Sequence, residues 1–150
     1  MLNNALKRRR SDEGFTLIEL LVVVVILGIL IGIAIPVYLN YRKSANDKAA
    51  QSDLRNAIST LEVCNSDGGY PTAVADVGTL TGCTSQGTAL KKSDGTTFRY
   101  VTVGTTTVTS YTLYTINSGG TPKVYCYNSL NGGGVKTASG SVLADATCPA

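Results

Sequence analysis

The sequence predicts an α+β fold in which a long N-terminal helix packs through its second half on a small antiparallel sheet. Two observations carry this prediction. A continuous apolar run from Phe15 is followed by apolar residues at helical spacing up to Leu61, and three segments rich in Val, Thr and Tyr follow after residue 97. At 150 residues, the chain is long enough for one compact domain besides its apolar segment. We therefore expect a membrane-compatible helix that carries a β-rich head.

Residues 1–14 are a short polar leader. Four consecutive cations, Lys7–Arg10, stand there against two acidic residues, and the rest of the chain is nearly neutral. Because cationic flanks of membrane segments face the cytoplasm, we expect the leader to stay on that side. Binding of nucleic acid by Lys7–Arg10 is a weaker interpretation, since membrane flanks are the commoner source of such runs.

The segment 15–37 has the composition of a transmembrane helix. From Phe15 to Ile35 its only charge is Glu19, and this stretch is about as long as a helix needs to cross a bilayer. A carboxylate in hydrocarbon is costly, so Glu19 is predicted to be functional. The alternative is that Glu19, close to the start of the segment, simply reaches toward the lipid headgroups.

Three residues inside this segment are candidates for helix packing or bending. Gly28 and Gly32 form a GxxxG pair, a spacing at which helix backbones approach closely, although membrane helices also tolerate glycine without such a role. Pro36 cannot donate a backbone hydrogen bond and crowds the preceding turn, so a kink is expected there.

Residues 38–65 are predicted to continue the helix in amphipathic form. Apolar residues recur there at three- and four-residue spacing, and polar residues fill the positions between them. The apolar stripe comprises Ala50, Leu54, Ala57, Ile58 and Leu61. Turn formers and glycines at residues 65–69 end the pattern.

Residues 66–150 are predicted to form a globular head. It begins with a loop region, and three strand-like segments follow at Phe98–Val103, Val108–Ile116 and Lys123–Asn128. Short polar links between these segments favour an antiparallel meander. One face of that sheet would pack on the apolar stripe of the helix.

Four cysteines, at positions 64, 83, 126 and 148, all lie beyond the apolar segment. An even number in a domain expected to leave the cytoplasm predicts two disulfides, with three possible pairings. A zinc site is disfavoured, because such sites usually contain cysteines only about two to four residues apart.

The chain offers little for catalysis. It contains no histidine, which removes the commonest general base and metal ligand. No acid pair and no phosphate-binding glycine loop stands out. We therefore predict no catalytic residue, no bound metal and no cofactor, and we do not expect an enzyme.

The junction GFTLIEL at residues 14–20 resembles the class III signal of type IV prepilins and type II secretion pseudopilins. The resemblance is densest over residues 14–58 and includes the cationic leader, the apolar helix and its proline. It implies cleavage between Gly14 and Phe15, methylation of the new N-terminus at Phe15, and a role for Glu19 in guiding subunits into a filament.

The resemblance also implies a pilin fold with a C-terminal disulfide loop. We expect the pairs Cys64–Cys83 and Cys126–Cys148, of which the second resembles that loop. In filaments of the family, helix is commonly lost between the positions that match Gly28 and Pro36.

A physical mechanism for Glu19 follows from its two environments. In the membrane it is expected to lack a strong partner, whereas in a packed filament it would meet the Phe15 ammonium of a neighbouring subunit. Breaking such a pair inside an apolar core by removing one partner costs about 3–5 kcal/mol. The pair would therefore enforce the stagger of the subunits.

The implied function is that of a structural subunit of a type IV pilus. The chain would be a single-pass membrane protein first and part of an extracellular bacterial filament later. Implied partners are further copies of the chain, a prepilin peptidase and N-methyltransferase, an inner-membrane assembly platform with its ATPase, and membrane lipid before assembly. The alternatives are a pseudopilin of a type II secretion or DNA-uptake system and, from another class, an anchored binding protein that never polymerises.

Overall fold

The computed structural model describes residues 14–71, 90–104 and 107–150. Its elements, in chain order, are the helix α1 (Leu17–Gly68) and the strands β1 (Thr96–Val103), β2 (Ser110–Asn117), β3 (Tyr125–Asn128) and β4 (Lys136–Thr137). A long helix followed by an antiparallel sheet confirms the predicted α+β, pilin-like architecture. The chain divides into two compact units between Leu39 and Asn40, within α1.

The first unit is an apolar helix with its side chains exposed. Its residues from Leu17 to Leu39 are all exposed, and Glu19 is the single charged residue among them. By length and composition, α1 is able to cross a membrane. Pro36 lies within α1, which runs on through it.

In the second unit, α1 continues to Gly68, the fourth of the five turn formers and glycines at residues 65–69. Gly69 ends it with a φ of 105°, and its backbone nitrogen donates to the carbonyl of Asn65. This left-handed conformation closes the last turn, and glycine adopts it without steric cost.

The strands form one sheet in the order β1-β2-β3-β4, with every pair antiparallel, so the predicted meander is confirmed. In the register, Tyr100 faces Leu113 and Tyr114 faces Cys126. The observed ends of these three strands lie within two residues of the predicted ones. The two-residue β4 was not predicted, because it is too short to show a period.

Successive residues of β2 point to opposite faces of the sheet, and each face builds its own cluster. On one face, Tyr111 and Leu113 pack against the apolar stripe of α1. Leu54 and Leu61 of the stripe are 0% exposed, and burial of each stabilises the head by about 2 kcal/mol. The full cluster contains Ala50, Leu54, Ala57, Leu61, Cys64, Leu90, Phe98, Tyr100, Tyr111, Leu113 and Tyr125.

The other face is covered by the segment that a disulfide closes. Tyr114 and Val124 pack there against Ala138 and Ala146. The Cys126–Cys148 bond is present, with 5.8 Å between the Cα atoms, which confirms this predicted pair. We call residues 139–148 the disulfide loop.

The other predicted disulfide involves a buried position of α1. Cys64 is 2% exposed and belongs to the cluster between α1 and the sheet. Its predicted partner Cys83 lies outside the described residues, so the pairing stays a prediction.

Three acidic side chains of α1 bind the head, a role that the helical pattern did not predict. Asp53 accepts bonds from the backbone nitrogen and the hydroxyl of Ser93, at 2.8 and 3.0 Å. Glu62 accepts one from the hydroxyl of Tyr70 and one from that of Tyr111, both at 2.9 Å. Asp47 accepts two from a single residue of the β2–β3 turn. We call these three acids the carboxylate clamps.

Candidate functional site

Glu19 and Thr16 form a closed set of hydrogen bonds at the start of α1. The backbone nitrogen and the hydroxyl of Thr16 donate to Glu19 Oε2, at 2.9 and 2.7 Å. The backbone nitrogen of Glu19 donates in turn to Thr16 Oγ1 at 3.3 Å. This is a capping box, in which a threonine and a glutamate three residues later satisfy helix-terminal donors. It explains why the helix begins at Leu17.

The capping box gives Glu19 a partner within its own chain. The expectation that Glu19 lacks a strong partner before assembly therefore does not hold for this structure. Its signal, a threonine three residues before a glutamate at the start of an apolar run, was present in the sequence.

Gly14 and Phe15 precede the helix in an exposed segment without regular secondary structure. Phe15 is 90% exposed. The bond between them therefore lies outside the helical hydrogen-bond ladder. The capping box lies wholly on its C-terminal side, so a cut at this bond would leave the box intact.

Around Glu19 the surface is apolar. Phe15, Ile18, Val22 and Val23 line a shallow recess of about 450 Å³ beside the carboxylate. All four side chains are exposed, as is the apolar stretch that follows. When another chain packs on such a surface, a single carboxylate can fix how the two chains align, because the buried charge requires a partner at one position.

The helix-packing candidates lie further along the first unit. A Cβ atom built on Gly28 or Gly32 would meet nothing within 4 Å, so both backbones are open to the approach of another helix. Neither glycine comes together with Glu19, because each lies at least two turns along α1 from it.

The N-terminal region, which contains Glu19, matches a known family model. Residues 9–35 match the family model of the prokaryotic N-terminal methylation motif. The type II secretion system core protein G of Vibrio cholerae is 41% identical over 70 residues, 45% of this chain and 47% of the relative. Over less than half of its length, the chain is therefore similar to members of the type IV pilin and pseudopilin superfamily.

Two pilins of this superfamily are similar to the same degree. The type IV major fimbrial protein FimA of Dichelobacter nodosus is 45% identical over 57 residues, 38% of this chain and 36% of the relative. The type IV wide pilus major component PilA4 of Thermus thermophilus is 43% identical over 58 residues, 39% of this chain and 44% of the relative. The chain thus spans less than half the length of these curated relatives. No solved structure matches it.

In the parts of the chain that the structure describes, no group of three or more His, Cys, Asp or Glu side chains is placed to hold a metal ion. The acids of the head-facing side of α1 are instead engaged in the carboxylate clamps. The N-terminal motif is therefore the best candidate for function.

Proposed function

We propose that this chain is a structural subunit of a type IV pilus, polymerised through its apolar helix. One observation carries the proposal: a lone carboxylate, Glu19, lies in the first turn of an exposed apolar helix that begins shortly after the Gly14–Phe15 bond. Similarity to pilins and to a secretion-system core protein supports the same class. The role is structural rather than enzymatic.

Processing comes first in this proposal. The leader, residues 1–14, stays in the cytoplasm, and a prepilin peptidase cleaves between Gly14 and Phe15 and methylates the new N-terminus at Phe15. Gly14 and Phe15 are exposed and lie outside the helix, so the bond between them is accessible, which supports this site. The match to the methylation motif supports it independently.

During assembly, Glu19 then moves from lipid into the packed core of the filament. In lipid, residues 15–37 cross the membrane, and Thr16 holds the carboxylate of Glu19. In the filament, the Phe15 ammonium of a neighbouring copy joins that carboxylate, and the capping box keeps its acceptor oriented. A mismatched stagger leaves a buried charge unpaired, which costs about 3–5 kcal/mol.

The remaining parts take supporting roles. Residues 38–65 carry the head, and residues 66–150 form the filament surface. Gly28 and Gly32 let neighbouring helices approach, while Pro36 marks a place where the helix loosens on extraction from lipid. An inner-membrane platform and its ATPase supply the work of that extraction. The finished filament stands outside the bacterial cell.

A second candidate is a pseudopilin that forms a short filament within the cell envelope. The similarity to the core protein G of Vibrio cholerae favours it, since that relative is named for a type II secretion system. Both candidates share the N-terminal motif. They differ in whether the filament extends outside the cell or stays within the cell envelope.

Two measurements test the proposal. Mass spectrometry of the membrane-extracted protein is expected to find Phe15 as a methylated N-terminus, and a chain that retains Met1 would contradict the pilin class. Electron microscopy of cells with and without this chain is expected to show surface filaments only in its presence. Filaments confined to the envelope, together with a secretion defect, would favour the pseudopilin instead. A methylated chain that forms no filament would favour the alternative of an anchored binding protein that never polymerises.

A further inference from the structure

A groove lies between α1 and the loop that follows β3. Its volume is about 350 Å³. Arg55, Ile58 and Ser59 line it from α1, and Tyr127 and Gly133–Val135 line it from the head. We call it the Arg55 groove.

The chemistry of the Arg55 groove suits a carboxylate beside a small apolar side chain. Arg55 is exposed and makes no ion pair with any residue that the structure describes. The hydroxyl of Ser59 lies on the same wall, and Ile58 supplies apolar surface. A Cβ built on Gly133 or Gly134 would meet nothing within 4 Å, so the opposite wall leaves room for an incoming chain.

A segment with the complementary chemistry lies on the disulfide loop of the same protein. Val142 is 51% exposed, and Asp145 is an exposed acid that makes no ion pair within the described part of the chain. The loop is held in place: Arg99 Nη1 donates to the carbonyl oxygens of Leu143 and Ala144 at 2.6 and 3.0 Å. A fixed loop loses little conformational entropy when it docks.

The groove and the loop cannot meet within one molecule, because they flank opposite faces of the sheet. The face that carries Leu113 packs on α1, and the face that carries Tyr114 packs under the disulfide loop. A contact between two different surfaces of identical subunits is heterologous, and its repetition builds an open helix when the rotation does not close. The two surfaces therefore have the arrangement that a polymer of heads requires.

We propose that the disulfide loop of one copy docks in the Arg55 groove of the next, with Asp145 against Arg55 and Val142 against Ile58. This inference rests on the proposed filament and names the head-to-head contact within it. The contact is independent of the apolar helix, and it selects neighbours by charge and shape.

Charge exchange in the full chain, expressed in its own cell, tests the contact. Arg55→Glu and Asp145→Lys each place like charges together, so each is expected to lower the yield of sheared filaments at least about tenfold. The double variant restores opposite charges and is expected to return the yield to within about threefold of the unaltered chain. Lys48→Glu and Asp94→Lys, also at exposed positions but outside the groove and the loop, are the matched controls and are expected to leave the yield unchanged.

A second variant separates packing from charge. Gly134→Leu places a side chain in the groove at a position where an added Cβ meets nothing within 4 Å, so the head is expected to fold while assembly falls. The membrane pool of each variant, with its Cys126–Cys148 bond intact, is measured beside the yield. A photo-crosslinker at position 142 of assembled filaments is expected to label the peptide that contains Arg55.

The outcomes are distinct. If the unaltered chain forms filaments and the single charge reversals do so equally well, the contact is wrong and the proposed function stands. Failure of the double variant to recover the yield, or labelling elsewhere in the head, overturns the contact too. If the unaltered chain forms no filaments at all, the proposed function fails and the contact falls with it.

Discussion

Thr121 donates two hydrogen bonds to Asp47, one from its backbone nitrogen to Oδ1 at 2.9 Å and one from its hydroxyl to Oδ2 at 2.6 Å. The two residues are 74 positions apart, so the pair fixes the β2–β3 turn on α1. Both oxygens of a buried carboxylate are thereby satisfied, as a buried charge requires.

Replacing Asp47 by Asn is expected to destabilise the head by about 2 kcal/mol, because the charge-assisted bonds to Thr121 are weakened. The measurement is urea unfolding of the full chain in detergent, followed by the tyrosine signal of the head. Asp94→Asn is the control, since Asp94 is exposed and its carboxylate lies outside the carboxylate clamps. Equal midpoints for the two variants would argue against a stabilising role for this clamp.

The same turn leaves no room for a side chain at Gly120. A Cβ there would collide with Asp47 Oδ1, so Gly120→Ala must displace either the Asp47 carboxylate from its bonds to Thr121 or the turn from α1. We expect a loss of about 1–3 kcal/mol, seen as a lower melting temperature. Gly134→Ala is the matched control, because its Cβ would meet nothing within 4 Å. A melting temperature for Gly120→Ala no lower than that of Gly134→Ala would contradict the packing described.

Removing a buried hydroxyl in β2 is expected to stabilise the head, in contrast to the two substitutions above. Thr115 is 0% exposed, and its Oγ1 finds no hydrogen-bond partner among the residues described. Thr115→Val keeps the shape and removes the unsatisfied group, so the free energy of unfolding is expected to rise by about 1 kcal/mol. Thr115→Ser, which keeps the hydroxyl and loses a methyl group, is expected to lower it. A Val variant less stable than the parent would mean that the hydroxyl is satisfied in solution.

The sequence predicted those features that depend on neighbouring residues. The apolar spacing from Ala50 to Leu61 predicted the buried face of α1, and the Val, Thr and Tyr content predicted a meander whose strands begin and end within a few residues of those observed. The Cys126–Cys148 pair came from the resemblance, because spacing alone leaves three pairings open.

The carboxylate clamps were missed for a physical reason. Asp53 and Glu62 occupy polar positions of an amphipathic pattern, which is equally typical of a solvated helix face. Their partners Ser93 and Tyr111 lie 40 and 49 positions away, so no local window contains either of these two pairs. Tyr70, the other partner of Glu62, is near in sequence but lies beyond the end of α1, where helical spacing predicts no contact. The capping box of Thr16 and Glu19 is local, and its sequence signature would have predicted it.

Alkaline pH is expected to weaken the head through its tyrosines. Burial, and then the hydrogen bond to Glu62, raises the pKa of Tyr70 from 10.0 to about 12. Burial also raises the pKa of Tyr111, which packs edge-on to Tyr70 with ring centroids 4.9 Å apart. Because these phenols lose their protons at lower pH in the unfolded chain, their stabilisation is complete below about pH 10 and is lost as pH rises toward 12 and beyond.

The measurement is the free energy of unfolding between about pH 8 and pH 12. Tyr111→Phe removes one of the titrating groups and is expected to be less stable at neutral pH but to lose less on the way to alkaline pH. Parallel curves for Tyr111→Phe and the parent chain would show that Tyr111 contributes nothing to the alkaline transition.

Glu19→Gln separates the two roles that we assign to Glu19. Glutamine serves in a capping box as glutamate does, so the variant keeps the start of α1, and it should enter the membrane and be cleaved after Gly14 normally. It cannot pair with the Phe15 ammonium of a neighbour, so the yield of sheared filaments is expected to fall at least about tenfold. Thr16→Val is the converse variant, which loses the hydroxyl of the box and keeps the charge, and we expect it to assemble better than Glu19→Gln. If Glu19→Gln formed filaments as well as the parent while Glu19→Ala did not, the capping box rather than the ion pair would carry the assembly role.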